Sequence, residues 1–193
     1  AAVLASRFRA KGNFIQMSGA DGDPHGYSVS IRSLMAMPLL FWARDEDAKQ
    51  EYRDMAKAHL KTVTSCCIPE GGPVFGTFYI NPADGTPVAG SSGAEFSVQS
   101  VPAYLQAEAL LALALCYRYD RQADDLQSLR RLLSFYKSRL PSAMIPFWDM
   151  NVTDGEESSR DTAAAAIAAC ALLQMSENYC ADVSDDETFS WRR

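Results

Sequence analysis

Hydrophobic positions along this chain alternate between two regimes. Ser30 to Ala43 (SIRSLMAMPLLFWA) is apolar at nearly every position, with Pro38 expected to kink it. Ala48 to Val63 is amphipathic instead: Tyr52, Met55, Ala56, Leu60 and Val63 form one stripe against Lys49, Glu51, Arg53, Asp54, Lys57 and Lys61. The alternation then recurs. Val101 to Tyr119 is apolar nearly all round, and Ala123 to Leu140 is amphipathic, with Leu126, Leu129, Leu132, Leu133 and Tyr136 facing in. A third apolar helix, Ala163 to Leu173, follows Ser158, Ser159 and Asp161, any of which can cap the first amides. A surface helix would carry a charged stripe, so this one is expected to be packed on every side. Ala1 to Phe8 (AAVLASRF) looks like the tail of a further helix.

Helices buried all round, alternating with helices that show one face to water, are what a double ring requires. The motifs LFWARD (Leu40 to Asp45) and LCYRYD (Leu115 to Asp120) occupy the same place in two successive hairpins, which supports a helical-hairpin repeat. The predicted fold class is therefore all-α, an α/α toroid. Gly71 to Gly90 (GGPVFGTFYINPADGTPVAG) sets β-branched and aromatic residues between glycines and an Asp-Gly turn, and predicts a small β-hairpin or long loop. A complete ring of about twelve helices would need about twice this length. A half-ring alone would leave apolar inner faces in water. Residues 1–193 are thus expected to be a single domain, one portion of an incomplete toroid. The remainder would be supplied by another segment, a second chain or a homo-oligomer.

Composition narrows the function classes. With 193 residues, 48% hydrophobic, 22% charged and a net charge of -6, the chain has a real core and no basic surface for phosphates, so nucleic acid is excluded as a partner. The apolar runs are too short or too interrupted to cross a bilayer. The five cysteines, Cys66, Cys67, Cys116, Cys170 and Cys180, lack zinc spacing, so no metal site is expected, and Cys116 and Cys170 in apolar helix read as small buried thiols. His59 on the amphipathic helix reads as structural and His25, in GDPHGY, as a turn residue. Asn151-Val152-Thr153 is an N-glycosylation sequon, and Asp182 to Glu187 reads as a solvated acidic tail. Trp148-Asp149 and Arg160-Asp161 flank one polar loop; they either line a ring mouth or close the loop through an Asp149–Arg160 ion pair.

Three long stretches resemble the glycoside hydrolases of families 88 and 105, the unsaturated glucuronyl and rhamnogalacturonyl hydrolases. PFWDMNVTDGEESSRDTAAAAIAACALLQM resembles that family's closing Trp-Asp and Arg-Asp segment, SLMAMPLLFWARD its Leu-Pro-Leu-Leu helix, and FYINPADGTPV followed by ALCYRYD its Asp-Pro loop and next inner helix. LASRFRAKGNFIQ fits as well. The resemblance implies the C-terminal portion of an (α/α)6 barrel, whose members hydrate the enol ether of a C4=C5 unsaturated uronic acid with carboxylates and no cofactor.

Carried over residue by residue, the resemblance keeps the scaffold and changes the pocket. Arg32 stands at the catalytic Asp position, and an arginine cannot act as a general acid near neutral pH. In the run from Gly93 to Glu108, Phe96, Ser97, Ser100, Gln106 and Ala107 keep register, while Pro102 replaces a Trp, Tyr104 an Arg and Glu108 a second Trp. Gly76 stands where the loop has a His. Tyr104, Gln106, Glu108, Trp148, Asp149 and Arg160 are the substrate-binding candidates, for an oligosaccharide or another small molecule. The expectation is a glucuronyl-hydrolase-like protein with a degenerate active site. The alternatives are a pocket repurposed for a hydrophobic small molecule, as in a cyclase, an active hydrolase of unsaturated uronides, and a silent binding scaffold. Sugar stacking on Trp42 or Trp148 would favour the hydrolase of unsaturated uronides.

Overall fold

Pro38 opens a helix rather than kinking one. In the computed structural model residues Ile31–Ala36 form a 3-10 turn, and the α-helix begins at Met37, so Pro38 lies in its first turn, where no amide hydrogen is needed. The structure describes residues 1–92, 99–152, 158–179, 182–184, 186 and 191, and the chain divides into two compact units, Ala1–Val98 and Gln99–Arg193.

The first unit runs α1 (Ala2–Ser6), β1 (Phe8–Arg9), β2 (Phe14–Ile15), β3 (Ser28–Ser30), the 3-10 turn, α2 (Met37–Asp47), α3 (Gln50–Cys67), β4 (Thr77–Ile80) and β5 (Pro87–Ser91). The expected N-terminal helix stops at Ser6, because Phe8 pairs with Ile15 in an antiparallel ribbon turned by Gly12 and Asn13, both at positive φ. The predicted hairpin forms as β4–β5, and β3 adds a third antiparallel strand, with Ser28 opposite Tyr79 and Ser30 opposite Thr77. Three residues are too few for period-2 alternation to be legible in the sequence.

Helix α3 buries Tyr52, Ala56, His59, Leu60, Val63, Cys66 and Cys67, so the predicted stripe is buried and extended by one turn, apart from Met55, which is half-buried. Helix α2 packs its Met37, Leu40, Phe41 and Ala43 inward. It is not covered all round, however: Met35 before it, Leu39 and Trp42 remain exposed, Trp42 at 52%. The β4–β5 loop rests on the β1–β2 turn, where Lys11 Nζ donates to the Ala83 carbonyl at 3.1 Å and Gly85 holds φ +81°. A Cβ on Gly85 would lie 2.3 Å from the Gly12 amide nitrogen. Gly85→Ala is therefore expected to lower stability by about 1–3 kcal/mol, read as a shift of the urea midpoint.

The second unit holds α4 (Ala103–Tyr119), α5 (Ala123–Ser138) and α6 (Thr162–Asn178). Helix α4 lies between the other two and is buried along most of its surface, which accounts for its apolar composition; Tyr104, Glu108, Leu111 and Leu115, one face at i, i+4, i+7 and i+11, stay half-open, and Arg118 and Tyr119 in its last turn are exposed. Helix α5 buries Leu126, Leu129, Leu132, Leu133 and Tyr136, as its pattern predicts. Asp161 caps α6 by accepting the Ala164 amide at 2.8 Å.

Two expectations fail on α6. Ala164, Ala168, Ala171 and Met175 are buried in one stripe, but Ala163, Ala166, Ala169, Cys170 and Leu173 are exposed, so the helix is covered on one side and the Cys170 thiol is not buried. Small residues suit either environment, which is why composition alone overstates their burial. The acidic segment is not simply solvated either: Asp182 pairs with Arg121 at 2.9 Å. Beyond it, Trp191 is buried edge-on against Tyr179.

Candidate functional site

In the first unit the sheet brings the turn that bears Arg32 up to residue 76. The Ile31 amide and the Ser30 hydroxyl both donate to the Gly76 carbonyl at 3.1 Å, so the turn bearing Arg32 is tied directly to residue 76. Arg32 is exposed between buried Ile31 and Ser33, whereas Gly76 is itself buried. Beside them Phe75 stacks edge-on against Phe78 with centroids 5.7 Å apart.

Sequence reasoning missed what lies behind this turn. His59, wholly buried on α3, accepts the Ile15 amide on Nδ1 at 3.0 Å, and its Nε2 lies 2.7 Å from the Ser33 hydroxyl. An imidazole that accepts at Nδ1 carries its proton on Nε2, so Nε2 donates to Ser33, which in turn donates to the Ser30 carbonyl at 2.5 Å. Burial drives the His59 pKa down to about 3 and keeps the ring neutral. His25, by contrast, is exposed in its turn with Nδ1 3.1 Å from Asp23.

In the second unit the loop between α5 and α6 folds onto the start of α4. Residues 102 and 149 form a bridge, as do 147 and 160; the Ala103 amide donates to the Trp148 carbonyl and the Met150 amide to the Val101 carbonyl, both at 2.9 Å. Asp149 spends one carboxylate oxygen on the Val101 and Asn151 amides, at 2.9 and 3.0 Å. The Asp149–Arg160 ion pair is not formed. Arg160 instead lies over the Phe147 ring at 3.6 Å and donates to the Ile145 carbonyl at 3.0 Å. The loop is closed, but by a carboxylate on backbone amides and a guanidinium on an aromatic face.

Of the substrate-binding candidates, Trp148 is 40% exposed and Arg160 is exposed, while Tyr104 and Glu108 sit one turn apart on the half-open face of α4. Gln106 is buried at 1% and so belongs to the interior of its unit. At these positions the second unit therefore presents an exposed indole and guanidinium and a half-open phenol and carboxylate. Gly93 to Val98, with Glu95, Phe96 and Ser97, lie outside the described residues, as do Thr153 of the sequon and Cys180. Among the described residues no three His, Cys, Asp or Glu side chains could hold a metal ion, and no helix is long and apolar enough to cross a membrane.

No protein-family model matches the chain. Curated relatives do. The unsaturated chondroitin disaccharide hydrolase of Streptococcus pyogenes serotype M1 is 34% identical over 172 residues, 89% of this chain and 43% of that protein. The unsaturated glucuronyl hydrolase of Bacillus sp. strain GL1 is 33% identical over 186 residues, 96% and 49% of the two chains. The chain is homologous to the unsaturated glucuronyl hydrolases. Solved structures agree: the glucuronyl hydrolase of Streptococcus agalactiae superposes with a TM-score of 0.89 at 30% identity, covering 97% of this chain and 47% of that one. The crystal structure of the Bacillus sp. GL1 enzyme gives 0.88 at 32% identity, covering 98% and 50%. This glucuronyl hydrolase-like chain therefore has the α/α toroid fold class, as its helix alternation predicts. It spans about half the length of the curated relatives it matches.

Proposed function

We propose that this chain is one portion of a glucuronyl-hydrolase-type toroid that binds an unsaturated uronic acid oligosaccharide and no longer hydrolyses it. The observation that carries the reading is Arg32. It occupies the position at which the resemblance implies a carboxylic acid, it is exposed, and it is tied to Gly76, where the resemblance implies a histidine. Hydration of a C4=C5 enol ether needs a group that gives a proton near neutral pH, which a carboxyl group held in a pocket can do and a guanidinium cannot. A guanidinium can instead hold the carboxylate of the same sugar through paired hydrogen bonds. Considered separately, the second unit would offer a sugar an aromatic face in Trp148 and a cation in Arg160, both exposed.

The remaining portion of the ring, upstream in the family order, would come from another segment, a second chain or a second copy. Its helices would cover the exposed apolar residues Met35, Leu39 and Trp42 of the first unit and Leu173 of the second. The second reading is an active hydrolase, favoured by the names of the relatives, which describe hydrolases of unsaturated disaccharides and glucuronides.

Arg32→Asp separates the two. The wild-type protein is expected to bind unsaturated chondroitin disaccharide in calorimetry without bleaching the ultraviolet absorbance of its double bond, and Arg32→Asp is expected to gain measurable turnover. Turnover by the wild type would establish the hydrolase reading instead. Neither binding nor turnover in either protein would remove the carbohydrate reading altogether.

A further inference from the structure

We infer that Ser33 and His59 are positioning residues for position 32, an inference that rests on the reading of Arg32 as the ligand-facing residue of the first unit. A 3-10 turn has poorer hydrogen-bond geometry than an α-helix and holds its side chains weakly by itself. The turn Ile31–Ala36 has no side-chain cap of its own. Its rigidity comes from outside.

The hydrogen bonds run in one direction, from the Ile15 amide to His59 Nδ1, from His59 Nε2 to the Ser33 hydroxyl, and from that hydroxyl to the Ser30 carbonyl. Ser30 then donates its own hydroxyl to the Gly76 carbonyl, which also accepts the Ile31 amide. Strand β2, helix α3 and Gly76, the residue before strand β4, are thereby joined to the residues on both sides of position 32, and Arg32 itself is exposed.

A filler for this space need not be polar, because an apolar side chain in place of both partners would cost little or nothing, whereas a neutral imidazole must have both nitrogens satisfied. What histidine adds is direction. It fixes the Ser33 rotor, and the Ser33 hydroxyl fixes the start of the turn. The reach of this chain is the reason α3, an otherwise amphipathic helix with its polar face to water, carries a fully buried titratable ring.

Hydrogen exchange by mass spectrometry and disaccharide calorimetry, run on the same proteins, test the inference. Ser33→Ala removes one hydroxyl, and Tyr136→Phe, which removes a buried hydroxyl from the second unit, controls for a general loss of stability. In Ser33→Ala, amide exchange over residues 28–36 is expected to quicken about tenfold and affinity for unsaturated chondroitin disaccharide to fall about fivefold to tenfold, with other peptides unchanged. Tyr136→Phe should move neither readout. His59→Gln, which retains an acceptor and a donor, should recover most of the protection that His59→Ala loses. Unchanged exchange at 28–36, or a uniform rise across the chain, would overturn the positioning role. If the wild type does not bind the disaccharide, the carbohydrate reading fails, and the localised exchange result still decides whether Ser33 and His59 hold the turn.

Discussion

Lowering the pH from 7 to 5 is expected to cost this protein about 2 kcal/mol through His59 alone. Its ring is wholly buried, and burial lowers its pKa from the ordinary value of 6.5 to about 3. The unfolded chain therefore takes up a proton as pH falls through 6.5, and the folded chain does so only near 3. Between those values the unfolded state binds more protons, so the stabilising contribution is fully present above 6.5 and is lost progressively as pH drops. Protonation also turns Nδ1 from an acceptor into a donor facing the Ile15 amide hydrogen, which breaks the bond that joins α3 to β2. Urea unfolding followed by circular dichroism at pH 7, 6 and 5 measures the slope. A flat profile, or a slope that survives His59→Gln, would show that the ring is not held neutral in this way.

Tyr179→Ala should be the most damaging single change in the second unit, at about 4 kcal/mol. Tyr179 is fully buried at the end of α6, edge-on to Tyr117 at 4.7 Å and to Trp191 at 6.4 Å, and its hydroxyl donates to the Ala114 carbonyl in the middle of α4. Burial also raises its pKa, so the phenol stays protonated and able to donate. The rest of α6 meets α4 mainly through alanines, which bury little area each, so the large ring carries a disproportionate share of that interface. Differential scanning calorimetry of Tyr179→Ala and Tyr179→Phe separates ring from hydroxyl. The phenylalanine variant is expected to lose about 1 kcal/mol, the net worth of one hydrogen bond. A near-neutral alanine variant would mean that α6 is held by something other than this residue.

Legibility differed between elements for identifiable reasons. The stripes of α3 and α5 could be read directly, since each helix has one wet and one dry face and a period of 3.6 reports that contrast. Helix α6 was placed correctly, with Asp161 among its three candidate caps, yet its exposure was not, because alanine is indifferent to water and encodes no face. Trp148 and Arg160 were legible as neighbours from their loop. That Arg160 stacks on Phe147 while Asp149 ties down Val101 and Asn151 was not, since both carboxylate and guanidinium had other partners of comparable strength within reach.

By itself the sequence determined the helical class, the β4–β5 hairpin and the dry stripes of α3 and α5, because these depend on local periodicity and on the identity of single side chains. Tertiary structure alone decided that Ser30, Ile31 and Gly76 meet, that His59 reaches Ser33 across 26 positions of chain, and which face of α6 stays open. Hydrogen bonds between distant residues depend on ångström-scale placement, which the packing of helices and strands sets and no spacing along the chain records.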